Sequence, residues 1–301
     1  MNDTLNQQQE PYSDLKDLKP FLDCVDHTVS RETFSLLRDA ETGLLVTTPR
    51  PSSETLSSYY ESEDYISHTD SKRSVMDKVY QMIKNYSIKR KVKMINSLSN
   101  TKGCILDIGC GTGDLLSACE KDGWKISGVE PSDKARTLAG KKIASEESIV
   151  ENIESLSDKP KDRYDIITMF HVLEHVPNLI EYVDRLKQLL TDEGCLIIAV
   201  PNYESYDAGY YKEFWAAYDV PRHLWHFTQD SMQHIFGSNG FVIENTLPLV
   251  FDSFYVSLLS EKYKTGKSNL IAGFKTGLKS NLKARQSGQY SSLIYIIKKG
   301  K

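Results

Sequence analysis

LDIGCGTGD, Leu106–Asp114, sets glycines at positions 109, 111 and 113 directly after the apolar run CIL. Glycine admits positive φ and lets a ligand approach the backbone closely, so this bend reads as a binding loop. The helical pattern DLLSACEKDG follows it, giving a strand–loop–helix unit whose first amides suit a carboxylate or phosphate. The dinucleotide fingerprint is G-x-G-x-x-G. Here the spacing is G-x-G-x-G, one residue tighter, with Asp107 two residues ahead of Gly109. Several cofactor classes use such a loop, and the surrounding chain has to choose among them.

Outward from the loop the texture is alternating strand and helix. WKISGVEP, ESIVEN, YDIITMF and CLIIAVPN read as strands; PSDKARTLAGKKIA and PNLIEYVDRLKQLL read as helices, with TDEG as an exit turn. Repeated β-α-β units predict a mostly parallel sheet covered on both faces by helices. Two more apolar runs, GFVIENTLPL and SSLIYIIKK, lie far apart near the C-terminus. Upstream, residues 1–20 are polar, Gln-rich and read as a disordered tail. Phe21–Val46 is strand-like with a turn at DAETG, and SSETLSSYYES reads as a short helix. A longer helix is predicted from Ser74 to Ser97, with Val75, Val79, Met82, Ile83 and Tyr86 on one face and the basic run KRKVK on a wet one. The predicted organisation is a tail to 20, a hairpin and helical lid over 21–98, and the main domain over 99–301 with a helical insertion at about 250–288.

Composition is that of a globular chain: 40% hydrophobic and 26% charged residues with a net charge of −4. The polar start predicts no secretory leader, and no apolar run reaches the roughly 20 residues of a membrane helix. Five cysteines without a CxxC pair predict reduced thiols and a cytoplasmic setting. The charge is uneven: Glu261–Lys301 carries a net +9, leaving −13 elsewhere. That basic segment reads as a solvated face, or as one that meets phosphate or an acidic partner.

Glu130 ends the strand after the loop, nineteen residues beyond Gly111, and its carboxylate suits a ribose diol. Asn152 and the Ile153 N–H end the next strand, where an adenine ring would meet them. DIGCGTGD, GVEPS, YDIITMFHVLEHVPN and CLIIAVPN, in that order, resemble the class I S-adenosylmethionine-dependent methyltransferase family, closest to its small-molecule and lipid-quinone type. The resemblance covers roughly residues 100–300. It implies an α/β, Rossmann-like, seven-stranded, mostly parallel sheet with an antiparallel last strand, the final pair being FVIENTL and SLIYIIKK. It implies S-adenosyl-L-methionine as cofactor, with Asp107, Gly109, Gly111 and Gly113 at the methionine end and Glu130 on the ribose. Asn152 (where the family more often has Asp) and Ile153 fall at the adenine, and Phe170 and His171 beside the sulfonium.

After the fifth strand, YESYDAGYYKEFWAAYDVPRHLWHFT is dense in Tyr, Trp and His and suits a pocket wall with polar handles. Arg222, His223 and His226 are the ionisable groups placed nearest the transferred methyl, with His226 preferred as a base. The bland alternative for either histidine is a turn cap or a satisfied buried carbonyl. GLLVTTPRPSSETLSSYYESEDY resembles the second half of a leader that, in some family members, begins with a zinc ribbon. Only Cys24 and His27 remain of the ligand half, and Asp39 and Thr42 stand where a second cysteine pair would be. A tetrahedral site needs four ligands, so no metal is expected there. None is expected at His171, Glu174 and His175 of HVLEH either. Tyr60 and Tyr65 would reach over the cofactor from the lid. The expected function is methyl transfer to a small or lipid-like acceptor. The alternatives are a non-catalytic cofactor-binding partner and a nicotinamide-dependent oxidoreductase. Nucleic acid is not an expected partner, since HVLEH stands where an NPPY- or DPPY-type motif would be. The sequence sets no oligomeric state.

Overall fold

The computed structural model describes residues 15, 17–52, 55, 57–60, 75–99, 101–144, 148–156 and 163–300. In chain order the elements are β1 (Leu18–Val25), β2 (Thr33–Asp39), β3 (Leu45–Thr48), α1 (Val75–Ser97), β4 (Cys104–Ile108), α2 (Asp114–Lys121), β5 (Lys125–Val129) and α3 (Asp133–Gly140). There follow β6 (Ile149–Val150), β7 (Tyr164–Phe170), α4 (Leu179–Leu189), β8 (Leu190–Pro201), α5 (Tyr206–Tyr211), β9 (Trp225–His226) and α6 (Gln229–Ser238). The chain closes with β10 (Phe241–Pro248), α7 (Asp252–Thr265), α8 (Leu270–Ser287) and β11 (Ser292–Lys299).

The main sheet has seven strands in the order β10-β11-β8-β7-β4-β5-β6. β4 to β8 pair in parallel, whereas β11 runs antiparallel to both of its neighbours. This is the expected Rossmann-like sheet, and its last two strands are the two distant apolar runs. The period-2 alternation of each strand splits the core in two. Leu196, Ile198 and Val200 of β8 join Leu106, Ile108, Ile167 and Met169 on one face. Cys195, Ile197 and Ala199 join Ile105, Ile166 and Ile95 on the other. Because both faces are covered, the central strands are largely apolar, as in parallel sheets generally, with Asp107 and Thr168 the buried polar residues of β4 and β7.

The strand order reverses between β4 and β7, where open α/β sheets bind ligands at their carboxyl ends. All the chemistry below gathers there.

A second sheet, β1-β2-β3-β9, is antiparallel throughout. Its fourth strand comes from the heart of PRHLWHF: Leu45 pairs with His226 and Val46 with Trp225. The expected hairpin is therefore a sheet completed by the main domain. Two local expectations are corrected. TDEG belongs to β8, because the strand begins at Leu190 opposite Tyr164. The KRKVK run is not wholly wet, because Ile95 is buried and Lys91, one turn earlier on the same helix face, follows it inward. Of SSETLSSYYES, the described part is Thr55 and one 3-10 turn, Ser57–Tyr60. The rest, like the tail to residue 14 and Tyr65, lies outside the described residues.

Candidate active site

The bend after β4 is stitched to the neighbouring strand. The Gly109 and Cys110 N–H groups both donate to the Val129 carbonyl, at 2.8 and 3.1 Å. Gly109 has φ +71°, and a Cβ there would lie 2.4 Å from Val172 Cγ2, so only glycine fits. Gly111, at φ +55°, differs: a Cβ there would find nothing within 4 Å. Its far side is open, which is where a ligand can approach the chain. The Gly111 N–H donates to Glu130 Oε2 at 2.8 Å, and the Ser132 N–H donates to Oε1 at 3.0 Å. Two backbone amides thus fix the carboxylate while leaving lone pairs for a diol. Gly113 caps α2 from the left-handed region.

Beneath the loop, Asp107 is buried and accepts from Thr168 Oγ1 at 2.6 Å. Burial pushes its carboxyl up to about 6, against the pull of Thr168 and Lys91. Lys91 places its ammonium 3.4 Å from the centroid of Phe170. Burial lowers its pKa, opposed by Asp107 and Asp252. Burial thus outweighs the ring and the two carboxylates, and the face of Phe170 is already taken by the Lys91 side chain.

On the adenine side, Asn152 caps the 3-10 turn Ile153–Ser155. Its Oδ1 already accepts from Ser155 N at 3.0 Å and Ser155 Oγ at 2.7 Å. The acceptor role expected of Asn152 is therefore filled from within, leaving its Nδ2 and the Ile153 backbone for a ligand.

At the tip of β7 the chain turns sharply at His171, φ +59°. His171 Nε2 lies 2.8 Å from Asp252 Oδ2 at the start of α7, and Nδ1 lies 3.3 Å from Glu174 Oε1. Burial would depress this imidazole, but Asp252 and then Glu174 outweigh it and push it up to about 10. Glu174 is held down at about 2 despite its burial, chiefly by His171 and then His223. Behind them His175 is pushed down to about 4, by burial and by His223. Its Nδ1 sits 3.0 Å from Tyr60 Oη and 2.9 Å from the Arg222 carbonyl, so Tyr60 does reach this region. Since the folded pKa of His171 is raised, the ion pair's contribution is complete below the imidazole's ordinary value and fades as pH rises through about 10. An NMR titration should accordingly find no His171 midpoint between pH 5 and 8, and Asp252→Asn should bring the midpoint down. A wild-type midpoint near the ordinary value would contradict this geometry.

The three residues expected at the methyl group are placed differently. Arg222 is buried and fully engaged: Nε and Nη2 donate to Asp219 at 2.9 and 2.7 Å, Nη2 to Asp26 Oδ1 at 3.1 Å, and Nη1 to the Tyr59 carbonyl at 3.0 Å. This is a structural clamp that ties the end of β1 to the loop before β9. His226 is buried on β9 with Nε2 3.0 Å from Thr47 Oγ1, and burial lowers its pKa well below the ordinary value. It is a satisfied core histidine. His223 bonds the Ala217 carbonyl through Nδ1 at 2.9 Å and turns Nε2 towards Glu174 Oε1, 4.0 Å away. Glu174, His175 and His223 bring one ligand atom each within 4.8 Å of one another. The aromatic string is also core rather than pocket wall: Tyr211, Trp215 and Tyr218 are buried against β1–β3. Sequence reasoning missed Lys91, Thr168 and Asp252. Only Lys91 had a local signal, its place one turn before an apolar residue of α1.

Fold and site together define the class I methyltransferase architecture. The methyltransferase domain family matches residues 76–246, more than half of the chain, and this chain belongs to that family. In family and fold it is a class I S-adenosylmethionine-dependent methyltransferase. Among curated relatives, the ubiquinone biosynthesis O-methyltransferase of Rhodopseudomonas palustris strain BisA53 is 29% identical over 117 residues, 38% of this chain and 45% of that one. That of strain BisB5 is 27% identical over 178 residues, 54% of this chain and 67% of that one. The chain thus spans about half to two thirds of the length of these relatives. Two solved methyltransferases share the fold. The plantazolicin methyltransferase BpumL, in complex with a desmethylPZN analog and SAH, is 18% identical, with 82% of this chain and 95% of that one covered and a TM-score of 0.52. The magnesium protoporphyrin IX methyltransferase from Synechocystis, with bound SAH, is 16% identical, with 81% and 98% covered and a TM-score of 0.52.

The residues present fit S-adenosylmethionine, the cofactor of this class. The open side of Gly111 admits a ligand, and Glu130 is pre-set for a diol.

Proposed function

We propose that this protein transfers a methyl group from S-adenosylmethionine to a hydroxyl oxygen of a small, lipid-like acceptor. The observation that carries the reading is the Gly111–Glu130 hydrogen bond at the strand tips. The choice of oxygen is supported by the curated relatives, which are O-methyltransferases of ubiquinone biosynthesis.

When bound, the cofactor supplies a methyl carbon on a sulfonium, an electrophile whose leaving group is neutral. Glu130 would hold the ribose hydroxyls, with Gly111 giving way to the methionine end and Gly109 and Gly113 shaping the bend around it. Asp107 would balance its positive charge, with Phe170 alongside. Asn152 and Ile153 would meet the adenine, and Tyr60 and Tyr65 would close from above.

His171, rather than Arg222, His223 or His226, would be the ionisable group beside the transferred methyl. Both of its ring nitrogens are held by carboxylates, so it stands there as a fixed imidazolium and not as a base. The acceptor hydroxyl would give its proton to solvent and bind as an oxyanion in the field of that imidazolium, so the rate should rise with pH as the acceptor ionises instead of levelling near 7. Positioning supplies much of the remaining acceleration.

The experiment is a transfer assay with labelled S-adenosylmethionine and catechol- or quinol-type acceptors in the presence of a chelator. Label should appear as a methyl ether, and chelation should leave the rate unchanged. Restoration by added metal after chelation would assign Glu174, His175 and His223 to a cation instead. Bound S-adenosylhomocysteine without transfer to any hydroxyl would sink the reading in favour of a non-catalytic binder. Binding of NAD in its place would favour an oxidoreductase.

A further inference from the structure

Within the α7–α8 hairpin, α8 is built inside out. A helix on a globular protein ordinarily turns its apolar stripe to the core. In α8 the residues facing the protein are small: Gly273, Thr276, Gly277, Ser280 and Ala284 are the buried ones. Its large apolar side chains face solvent, with Leu270, Ile271 and Phe274 59%, 69% and 56% exposed, and Leu278 and Leu282 exposed as well. At 100° per residue these five fall within an arc of about 120°, centred about 130° around the helix from the buried face. Apart from Phe274, which stacks on Phe254 of α7, they do not hold the hairpin together. A Cβ on Gly273 would lie 2.9 Å from Leu258 Cα, and one on Gly277 2.8 Å from Ser253 O, so the two helix backbones pass close together at small residues. The anchor of α8 to the domain is polar, Ser280 Oγ donating to Asp207 Oδ1 at 2.6 Å, while α7 packs Val256, Leu259 and Tyr263 against the apolar core.

The apolar face continues beyond α8. Phe274 stacks on Phe254 of α7 at 4.9 Å between ring centroids, and Phe251 meets Tyr86 of α1 edge-on at 6.0 Å. Phe251, Tyr255 and Tyr86 are exposed, as are Met82 and Ile83 one turn before Tyr86. This patch ends beside the site, since Asp252, the partner of His171, follows Phe251 directly. Its border is cationic: Lys262–Arg285 carries seven Lys and Arg and no acid. Lys279 and Lys283 lie over the Tyr206 ring at 5.0 and 4.7 Å, and Lys264 over Tyr210 at 4.7 Å.

We propose that this face docks the protein onto an anionic lipid bilayer, with the α8 stripe in the headgroup boundary and the lysines on the lipid phosphates. An apolar stripe edged by cations is the pattern of helices that lie in a membrane surface. No helix among the described residues is long and apolar enough to cross a membrane, so the contact is peripheral. A second copy of the chain is the weaker occupant, because a two-fold contact would bring the same acid-free cationic borders together. Docking here would set the mouth of the site against the bilayer, the phase in which a lipid-like acceptor resides. The proposal does not need that acceptor to be correct.

The test is co-sedimentation of the full chain with vesicles of phosphatidylcholine alone and of phosphatidylcholine mixed with phosphatidylglycerol. Wild-type protein should bind the anionic vesicles at least about tenfold better, with binding weakened by salt. The double variant Phe274→Glu, Leu278→Glu should stay in the supernatant while keeping the wild-type melting temperature and S-adenosylhomocysteine affinity. Wild type left in the supernatant with both vesicles, or a double variant that pellets like wild type, would overturn the proposal. So would a stable dimer that the double variant converts to monomer. Vesicle binding and cofactor binding are separate readouts, so failure of one does not imply failure of the other.

Discussion

Replacing Arg222 by methionine is expected to lower the unfolding free energy by about 3–5 kcal/mol, the usual result of breaking a buried ion pair on one side only. Arg222 is 3% exposed and donates to Asp219, Asp26 and the Tyr59 carbonyl. Methionine fills the volume but leaves two carboxylates facing a space without a cation. Asp26 is the more exacting partner, because its side chain is wholly buried. Despite that burial, the amides of Ser30 and Thr28, the Thr28 hydroxyl and Arg222 hold its pKa below the ordinary carboxylate value. A lowered pKa gives stability that is present above the ordinary value and lost as pH falls through the lowered one. The deficit of the variant should accordingly be full at neutral pH and shrink in acid, which urea unfolding at two pH values would show. Arg222→Lys should recover only part of it, since one ammonium cannot reproduce the planar fork. The catalytic alternative is separable. A variant that loses under 1 kcal/mol of stability but all methyl transfer would return Arg222 to the reaction.

The main sheet was legible because each of its strands and helices announces itself locally. CILDI, YDIITMF and CLIIAVP are mostly apolar on both faces, and PNLIEYVDRLKQLL keeps Leu179, Val183 and Leu186 on one buried face. What escaped notice is long-range. β9 is two residues inside a run of aromatics, too short for any alternation, and it exists because β3 lies beside it. The same run shows why aromatic density misleads. Tyr211 donates to Glu261, and Trp215 to Asp207, so their polar atoms are satisfied inside a core as well as they would be in a pocket. Lys91 was lost among its basic neighbours, because charge runs are usually solvated and nothing local shows which member turns inward.

The candidate site divides in the same way. Gly111 and Glu130 were readable as a pair, because a parallel β4–β5 ladder places the two strand tips side by side. The register Ile108 to Val129 carries that through to the hydrogen bond observed. His171 was placed correctly at the tip of β7, but not its charge. That depends on Asp252, whose helix begins 81 residues further along the chain. A histidine judged without its partners is taken for a base near neutrality. Between two carboxylates it becomes a fixed cation.

The cofactor side admits the sharpest test. Glu130→Ala is expected to weaken S-adenosylhomocysteine binding by about 100-fold or more. Two hydrogen bonds from a diol to a carboxylate are worth about 1.5–3 kcal/mol each, and each 1.4 kcal/mol is a factor of ten. The change also releases the Gly111 and Ser132 amides, so the bend loses the group that orders it. Glu130→Gln separates these effects. Its one carbonyl oxygen can keep the Gly111 N–H, but its amide nitrogen cannot accept from a second hydroxyl. Its affinity should therefore fall between wild type and Glu130→Ala. Titration calorimetry with S-adenosylhomocysteine reads the affinities, and thermal unfolding of the ligand-free proteins checks that both variants remain folded. Homocysteine lacks the ribose, so its binding, if measurable, should be insensitive to Glu130. Adenosine should lose nearly as much as the full compound. An affinity for S-adenosylhomocysteine within twofold of wild type in Glu130→Ala would mean that the carboxylate serves only to brace the loop. The diol, and with it the cofactor assigned to this cradle, would then have to be sought elsewhere.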